Sequence, residues 1–352
     1  MKSYGVRGEV LNLWKSYLTG RKQYVEVVDI SGNEVKAFKS DNSEVKYGVP
    51  QGSVAGPPLY TIYVNCLLDI NSNDDDILCL KYADDTSCVV SCSNLENTEI
   101  KAVTVVNQLA QDLDTHNLSL NLAKTNLIVF NSQQNPPFKP NINIDGHDIE
   151  EVEECMFLGL KINNQLDWSP HTDGLTKNVN SALYLIKRIA PLCAKETAIS
   201  LFHAIVMSRI SYGITIWGSQ PANLYRVFIL QKRGIRYIEQ LRRTDSCKEY
   251  FKKNKIMTVP GLYIFQIILH IRRNVDQYPS LGSNHSHDTR HKQTLAYKKH
   301  RTHLFETQVH YRGITFYNKT PDFILKIKKI KEFKLSLKKY ITEKCIYKLN
   351  EY

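Results

Sequence analysis

The sequence predicts an α+β fold, with an antiparallel sheet layer and packed helices in its first half, then a helical half and a basic C-terminal region. Three observations carry this. Short apolar runs with strand-like alternation are interspersed with helical periods up to about residue 130. Proline-marked loops follow at Pro136-Pro137 and Pro140, and from Ser169 onward helical periods take over. The charge is uneven as well: residues 281–352 hold 16 Lys and Arg against 6 Asp and Glu, nearly the whole net charge of +11.

Taken in order, Glu9 to Leu18 repeats apolar residues at Val10, Leu11, Trp14, Tyr17 and Leu18, a helical spacing that Gly20 stops. Gln23 to Val28 and Glu34 to Phe38 flank Ser31-Gly32-Asn33, a hairpin pattern. Val45 to Val49 is an extended run ending at Pro50. From Pro57 to Ile70 the positions Leu59, Ile62, Tyr63, Cys66, Leu67 and Ile70 follow a 3.6 period, and the two prolines suit a first helical turn, where no amide partner is lost. A hairpin over KYADDTS, residues 81–87, comes next, then a helix from about Leu95 to Asp114 and a strand Asn126 to Phe130.

Beyond the proline loop, INIDG and CMFLGLKI are strand-like. Helical periods then run through Leu183, Leu185, Ile186 and Ile189, through Ile199, Leu201, Phe202, Ile205 and Val206, and from Leu224 to Leu241. The predicted domains are residues 1–165, 166–280 and 281–352.

Composition limits the chemistry. A positive balance, 46 Lys and Arg against 35 Asp and Glu, favours a polyanionic partner, nucleic acid before an anionic membrane. The eight cysteines are scattered with no CxxC pair, which supports neither a zinc site nor a disulfide framework and fits a reducing interior. No apolar run approaches the ~20 residues of a membrane span, and the N-terminus is not of signal-peptide type. A cytoplasmic or nuclear, non-secreted protein is expected.

The chemically telling stretch is KYADDTS. Adjacent carboxylates at a strand–turn–strand apex repel one another unless a cation neutralises them, and a divalent metal does so. The plain alternative is a solvated turn, which aspartate favours. Other features accompany it in order. In VPQGSVAGPPLYTIYVN, Gly52 lets the backbone approach a base or sugar, although Gly-Ser before a helix also serves simple capping. Lys124, in LSLNLAKTNLIVF, is placed to lie beside phosphates, and Gly159 makes a tight apolar turn in FLGLKI.

Taken together, GVPQGS, YADD, LSLNLAKT and FLGL resemble the palm motifs of reverse transcriptases of non-LTR retrotransposons, of the jockey and LINE-like type. The upstream YGVRGEVLNLWKSYLTGRKQYV resembles the finger-to-palm segment of that family, and ALYLIKRIA through GITFYNKTPDFI its thumb and C-terminal region, with falling specificity after Trp217.

The resemblance implies a partial palm followed by a helical thumb, and RNA-directed DNA polymerisation on an RNA template with a DNA primer and dNTP. It implies Asp84 as a ligand of Mg²⁺ or Mn²⁺ and Asp85 as its neighbour at the metal, with Tyr82 and Ala83 beneath the primer end. Gln51, Gly52 and Ser53 are implied at the template and incoming nucleotide, Lys124 near the leaving pyrophosphate, and Phe157, Leu158, Gly159 and Leu160 on the primer.

The family also carries an essential aspartate on an earlier strand, and nothing here matches it. Glu9 lies in a helix pattern, and Glu26 and Asp29 belong to the wrong strand. The pattern VAGPPLY stands where the family more often has a leucine-rich run. The expectation is an incomplete metal site and a chain inactive by itself, with a catalytically silent nucleic-acid-binding remnant as the alternative. A metal-dependent nuclease fits less well, because no His/Glu cluster accompanies the pair.

Two further segments are ambiguous in sequence. Six histidines from His285 to His310 match no zinc spacing and fit a linker face. Lys326 to Lys339 is either an amphipathic helix packed on the helical half or an arm that tracks phosphates.

Overall fold

The computed structural model describes residues 1–31, 34–65, 74–130, 138–144, 146–283 and 294–352. It divides into two compact units, Met1–Leu127 with Pro137–Glu151, and Ile128–Pro136 with Val152–Tyr352. Among the described residues no helix is long and apolar enough to cross a membrane.

The first unit opens with α1 (Gly8–Leu18) as the 3.6 period requires. Strands β1 (Lys22–Gln23) and β4 (Ser43–Glu44) pair around the antiparallel hairpin of β2 (Glu26–Ser31) and β3 (Glu34–Lys39), whose turn residues Gly32 and Asn33 lie outside the described residues. The run Val45 to Val49 is not a strand. Its register ends at Glu44, and the Arg21 guanidinium instead holds the following loop through the Gly48 carbonyl at 2.5 Å.

Helix α2 (Gly56–Val64) starts on the two prolines, and the expected continuation through Cys66, Leu67 and Ile70 lies outside the described residues. Strands β5 (Ile77–Tyr82) and β6 (Asp85–Val90) form the next hairpin, followed by α3 (Leu95–Thr115). The Asn94 side chain caps α3 by accepting the Glu96 amide at 2.8 Å. One face of the hairpin, with Ile77, Cys79, Cys88 and Val90, packs on Val105 and Leu109 of this helix, which makes the unit's small core.

The predicted strand Asn126 to Phe130 shortens to β7 (Asn126–Leu127). Strands β8 (Asn143–Ile144), β9 (His147–Asp148) and β10 (Glu150–Glu151) follow, β8 pairing with β9 and β10 running parallel to β7. Among the described residues every ladder is two-stranded, so the expected sheet layer exists as separate pairs rather than one sheet. Such pairs are stable only where a face is packed, as on α3.

The second unit begins with the hairpin β11 (Glu154–Phe157) and β12 (Leu160–Asn163), then α4 (Ser169–Ile189). The period is right here but two positions are not: Leu183 and Ile186 are buried in the core, whereas Leu185 and Ile189 are exposed. Helix α5 (Lys195–Phe202) continues through a π-helical stretch, His203–Met207, into α6 (Ser208–Ser211). After α7 (Ile214–Trp217), α8 (Pro221–Ile238) and α9 (Lys248–Lys253) comes α10 (Val259–Arg273), a helix with no apolar stripe to predict it. Its buried sector takes in most of the circumference, leaving a narrow polar face of Gln266, His270 and Arg273. The buried Gln231 on α8 anchors its start, donating to the Met257 carbonyl at 2.8 Å and accepting the Val259 amide at 2.8 Å.

The basic C-terminal segment also joins this core. Helices α11 (His303–Thr307), α12 (Val309–Asn318), α13 (Asp322–Leu325) and α14 (Ile330–Lys344) follow in order. Phe333, Leu337 and Ile341 of α14 sit in the same cluster as Ile264, Ile268 and Ile271 of α10. The helix is therefore amphipathic and packed, with its lysines outward.

Candidate functional site

The two aspartates are placed by the shortest hairpin connection a chain allows. Tyr82 pairs with Asp85 across the ladder, leaving only Ala83 and Asp84 as the turn. Ala83 sits at φ 53°, the sign a two-residue hairpin turn demands at its first central position. Alanine in the left-handed region costs roughly 1 kcal/mol. The packed ladder on α3 holds that conformation in place.

Alternation then decides what faces where. Ile77, Cys79 and Lys81 turn toward the α3 side, while Leu78, Leu80 and Tyr82 are exposed on the other face. Asp84 and Asp85 are both exposed at the tip. Asp84 reaches α2 electrostatically: the Tyr60 hydroxyl is held above its ordinary range first by burial and then by the Asp84 charge. Behind the tip, Cys79 and Cys88 face each other with their sulfurs 2.9 Å apart, and the Cys88 thiol is held up by burial and by that contact.

Ser53 acts locally. Its hydroxyl donates to the Pro50 carbonyl at 2.8 Å and accepts the Gly56 amide at 3.0 Å, which satisfies one of the free amides at the start of α2. Gly52 has φ 76° with open space where a Cβ would stand, and Gln51 is exposed beside it. Lys124 lies exposed in a short 3-10 turn, Leu122–Lys124, not in a strand. All of these belong to the first unit.

Phe157 to Leu160 belong to the second. Phe157 pairs with Leu160, and both residues of the turn have positive φ, Leu158 at 46° and Gly159 at 79°. This is the type I′ pattern of a tight hairpin. Tyr212, which sequence reasoning passed over, secures it: its hydroxyl donates to the Leu158 carbonyl, and its ring lies 3.3 Å from where a Cβ on Gly159 would be. Nothing in the local pattern marks Tyr212, because the contact spans more than fifty residues.

Among the described residues no group of three or more His, Cys, Asp and Glu is arranged to hold a metal. His285, His287 and His291 lie outside the described residues; His300 is engaged with Glu306 at 3.0 Å, which raises its pKa. Asp84 and Asp85 are the two carboxylates at the tip of this hairpin, and carboxylate oxygens are the donor type that divalent cations such as Mg²⁺ take.

Residues 3–162 match the family model for reverse transcriptase (RNA-dependent DNA polymerase). The chain is 23% identical over 235 residues to the RNA-directed DNA polymerase from mobile element jockey of Drosophila melanogaster, covering 64% of this chain and 24% of that protein. It is 26% identical over 234 residues to the probable RNA-directed DNA polymerase from transposon BS of the same fly, covering 64% and 25%. A retrovirus-related Pol polyprotein from type-1 retrotransposable element R1 of Nasonia vitripennis is 22% identical over 188 residues, covering 48% and 52%. The chain therefore matches about a quarter of the length of the first two relatives. No solved structure matches it. Residues 3–162, a little under half of the chain, are thus similar to the reverse transcriptases, and the relatives that the chain matches are RNA-directed DNA polymerases of mobile elements.

Proposed function

We propose that this chain is a portion of an RNA-directed DNA polymerase of a non-LTR retrotransposon, acting on an RNA template with a DNA primer and dNTP. The first unit and the β11–β12 hairpin supply a partial palm, and α4 to α10 a thumb. The observation that carries the reading is the Ala83-Asp84 turn, which brings two carboxylates to one exposed hairpin tip. Asp84 and Asp85 hold Mg²⁺ or Mn²⁺, Tyr82 and Ala83 underlie the primer end, and Lys124 faces the leaving pyrophosphate. Gln51, Gly52 and Ser53 border the template and nucleotide, and Phe157 to Gly159 meet the primer. When bound, such metals activate the attacking 3′-hydroxyl and stabilise the leaving oxygen.

One observation favours the silent nucleic-acid-binding alternative for the isolated chain: the described residues add no third ligand to the aspartate pair. Carboxylates from one hairpin leave the opposite side of the metal open, and misplacement by an ångström costs ~100-fold in rate. Purified chain is therefore expected not to extend a DNA primer on an RNA template with Mg²⁺ or Mn²⁺. Fusion to an upstream strand bearing a further aspartate restores extension, and Asp84→Ala in the fusion abolishes it. Extension that survives Asp84→Ala in the fusion rejects the assignment.

A further inference from the structure

Behind the tip of the β5–β6 hairpin, Cys79 and Cys88 stand directly opposite each other in the ladder, with their sulfurs 2.9 Å apart. Opposed residues of an antiparallel pair alternate between hydrogen-bonded and non-hydrogen-bonded positions. Both ends of the ladder fix which kind this is. The two-residue turn makes Tyr82 and Asp85 a hydrogen-bonded pair, and at the other end the Ser91 amide donates to the Asp76 carbonyl at 2.8 Å. Counting by twos from either end leaves Cys79 and Cys88 at a non-hydrogen-bonded position. There the Cα atoms approach to about 4.5 Å, inside the range of about 4.4–6.8 Å that a disulfide spans.

A free cysteine often serves only as a small apolar side chain. Cys247 and Cys345 fit that use: both are buried, and each turns its thiol to a backbone carbonyl, Lys232 at 3.6 Å and Lys248 at 3.7 Å. Cys79 and Cys88 differ on two counts. Their sulfurs meet each other rather than the backbone, and both residues are partly exposed, so a small reagent can reach them. The neighbouring cross-strand pair on the same face, Ile77 and Val90, fills its share of the core with ordinary apolar side chains. The cysteines also bracket the tip evenly, three residues before Tyr82 and three after Asp85, so a bond between them closes a ring around the Ala83-Asp84 turn.

We propose that Cys79 and Cys88 are a reversible modification site, a dithiol that a small disulfide of the glutathione class converts to a cross-strand disulfide, latching the hairpin that carries Asp84 and Asp85. One cysteine, as its thiolate, attacks a sulfur of the small disulfide, and a small thiolate leaves and takes up a proton. The other cysteine gives its proton to solvent and attacks the protein-bound sulfur of the mixed disulfide, expelling the second small thiolate. The chain loses two hydrogens and two electrons, the small disulfide becomes two thiols, and excess thiol reverses the step. A latch of this kind suits a reducing interior, where disulfides are transient rather than a permanent framework. It concerns the sulfurs of the first unit and stands whether or not the chain polymerises DNA.

The full chain is equilibrated with mixtures of oxidised and reduced glutathione, quenched in acid, alkylated and digested with trypsin without reduction. Cleavage after Lys46, Lys81 and Lys101 puts Cys79 in peptide 47–81 and Cys88 in peptide 82–101, so closure appears as two linked peptides that have lost two hydrogens. Fragmentation of the linked species reads which sulfurs are joined, since Cys66 and Cys92 lie in the same two peptides. The expected link is Cys79 to Cys88 within one chain, undone by dithiothreitol, kept in Cys66→Ser and Cys92→Ser and lost in Cys88→Ser. Because the ladder already holds the two sulfurs together, the equilibrium constant for closure should be about 100-fold larger in the folded chain than in urea. Amide hydrogens over residues 77–90 should exchange more slowly in the oxidised chain. No link, a link through Cys66 or Cys92, a link between two chains, or a closure constant no larger folded than in urea overturns the proposal. Unchanged amide exchange on oxidation overturns the latch.

Discussion

Removing the ring of Phe333 decides whether α14 is part of the fold or a detached basic arm. The side chain is fully buried, and the Arg272 guanidinium lies 5.0 Å from its ring centroid. Arg272 is itself fixed by the Tyr317 hydroxyl at 3.1 Å and by the Ile327 carbonyl. Phe333→Ala therefore removes core burial and leaves a cavity that these anchored neighbours cannot fill. The expected loss is about 3–5 kcal/mol. For a unit of this size each kcal/mol moves the melting temperature by about 2–4 °C, so a fall of roughly 6–20 °C follows.

Leu335, two residues on, is 68% exposed, and Leu335→Ala should change stability by less than about 0.5 kcal/mol. Thermal unfolding followed by tryptophan fluorescence reports the difference, because Trp217 is fully buried in the same cluster and Trp168 packs against it. Equal melting temperatures for the two variants would show that α14 does not pack as described.

Protonation supplies a second expectation. His171, His203 and His270 are each held below the ordinary range, first by burial, with Lys338 adding to His203 and His310 and Arg273 to His270. The unfolded chain then binds more protons than the folded one near pH 6, so stability rises with pH there and is lost as pH falls below about 6.5. The denaturant midpoint of the second unit should drop between pH 7 and pH 5, and substituting all three histidines by Gln should flatten the profile; a flat wild-type profile contradicts it. Gly234→Ala should destabilise the second unit by about 1–3 kcal/mol despite better helix propensity. The new methyl would lie 2.4 Å from Phe202 Cε2 and 2.8 Å from Leu183 Cδ2, both buried, and a chemical-denaturation midpoint at or above wild type would refute the packing.

Much of the architecture was legible wherever a pattern is local. The period of Glu9 to Leu18, the proline start of α2, the YADD hairpin and the FLGL turn all formed where their residues place them, because propensity and turn chemistry act within a few positions. The strand Asn126 to Phe130 failed, since a strand exists only where a partner bonds it, and the partner stops at Glu151. Helix α10 was hard to read for the opposite reason: burial over most of its circumference leaves only the narrow polar face of Gln266, His270 and Arg273 in place of a clear amphipathic stripe. Lys326 to Lys339 was ambiguous because lysine-flanked apolar residues suit a packed helix and an arm alike, and only the presence of α10 beneath Phe333, Leu337 and Ile341 chooses.

The candidate site divides along the same line. The adjacency of Asp84 and Asp85, and their place at a turn, follow from the chain itself, because alternating apolar strands on either side leave two residues to make the bend. What tertiary structure decided is their surroundings. The hairpin presses one face on α3 and turns Leu78, Leu80 and Tyr82 outward, and the Asp84 charge is felt at Tyr60. Tyr212 on the FLGL turn and the groove that Lys161, Gly174 and Arg209 line are assembled from residues as much as 54 positions apart. Local preference reaches a few residues along the chain; contacts at that separation exist only after the core has closed and brought their helices together.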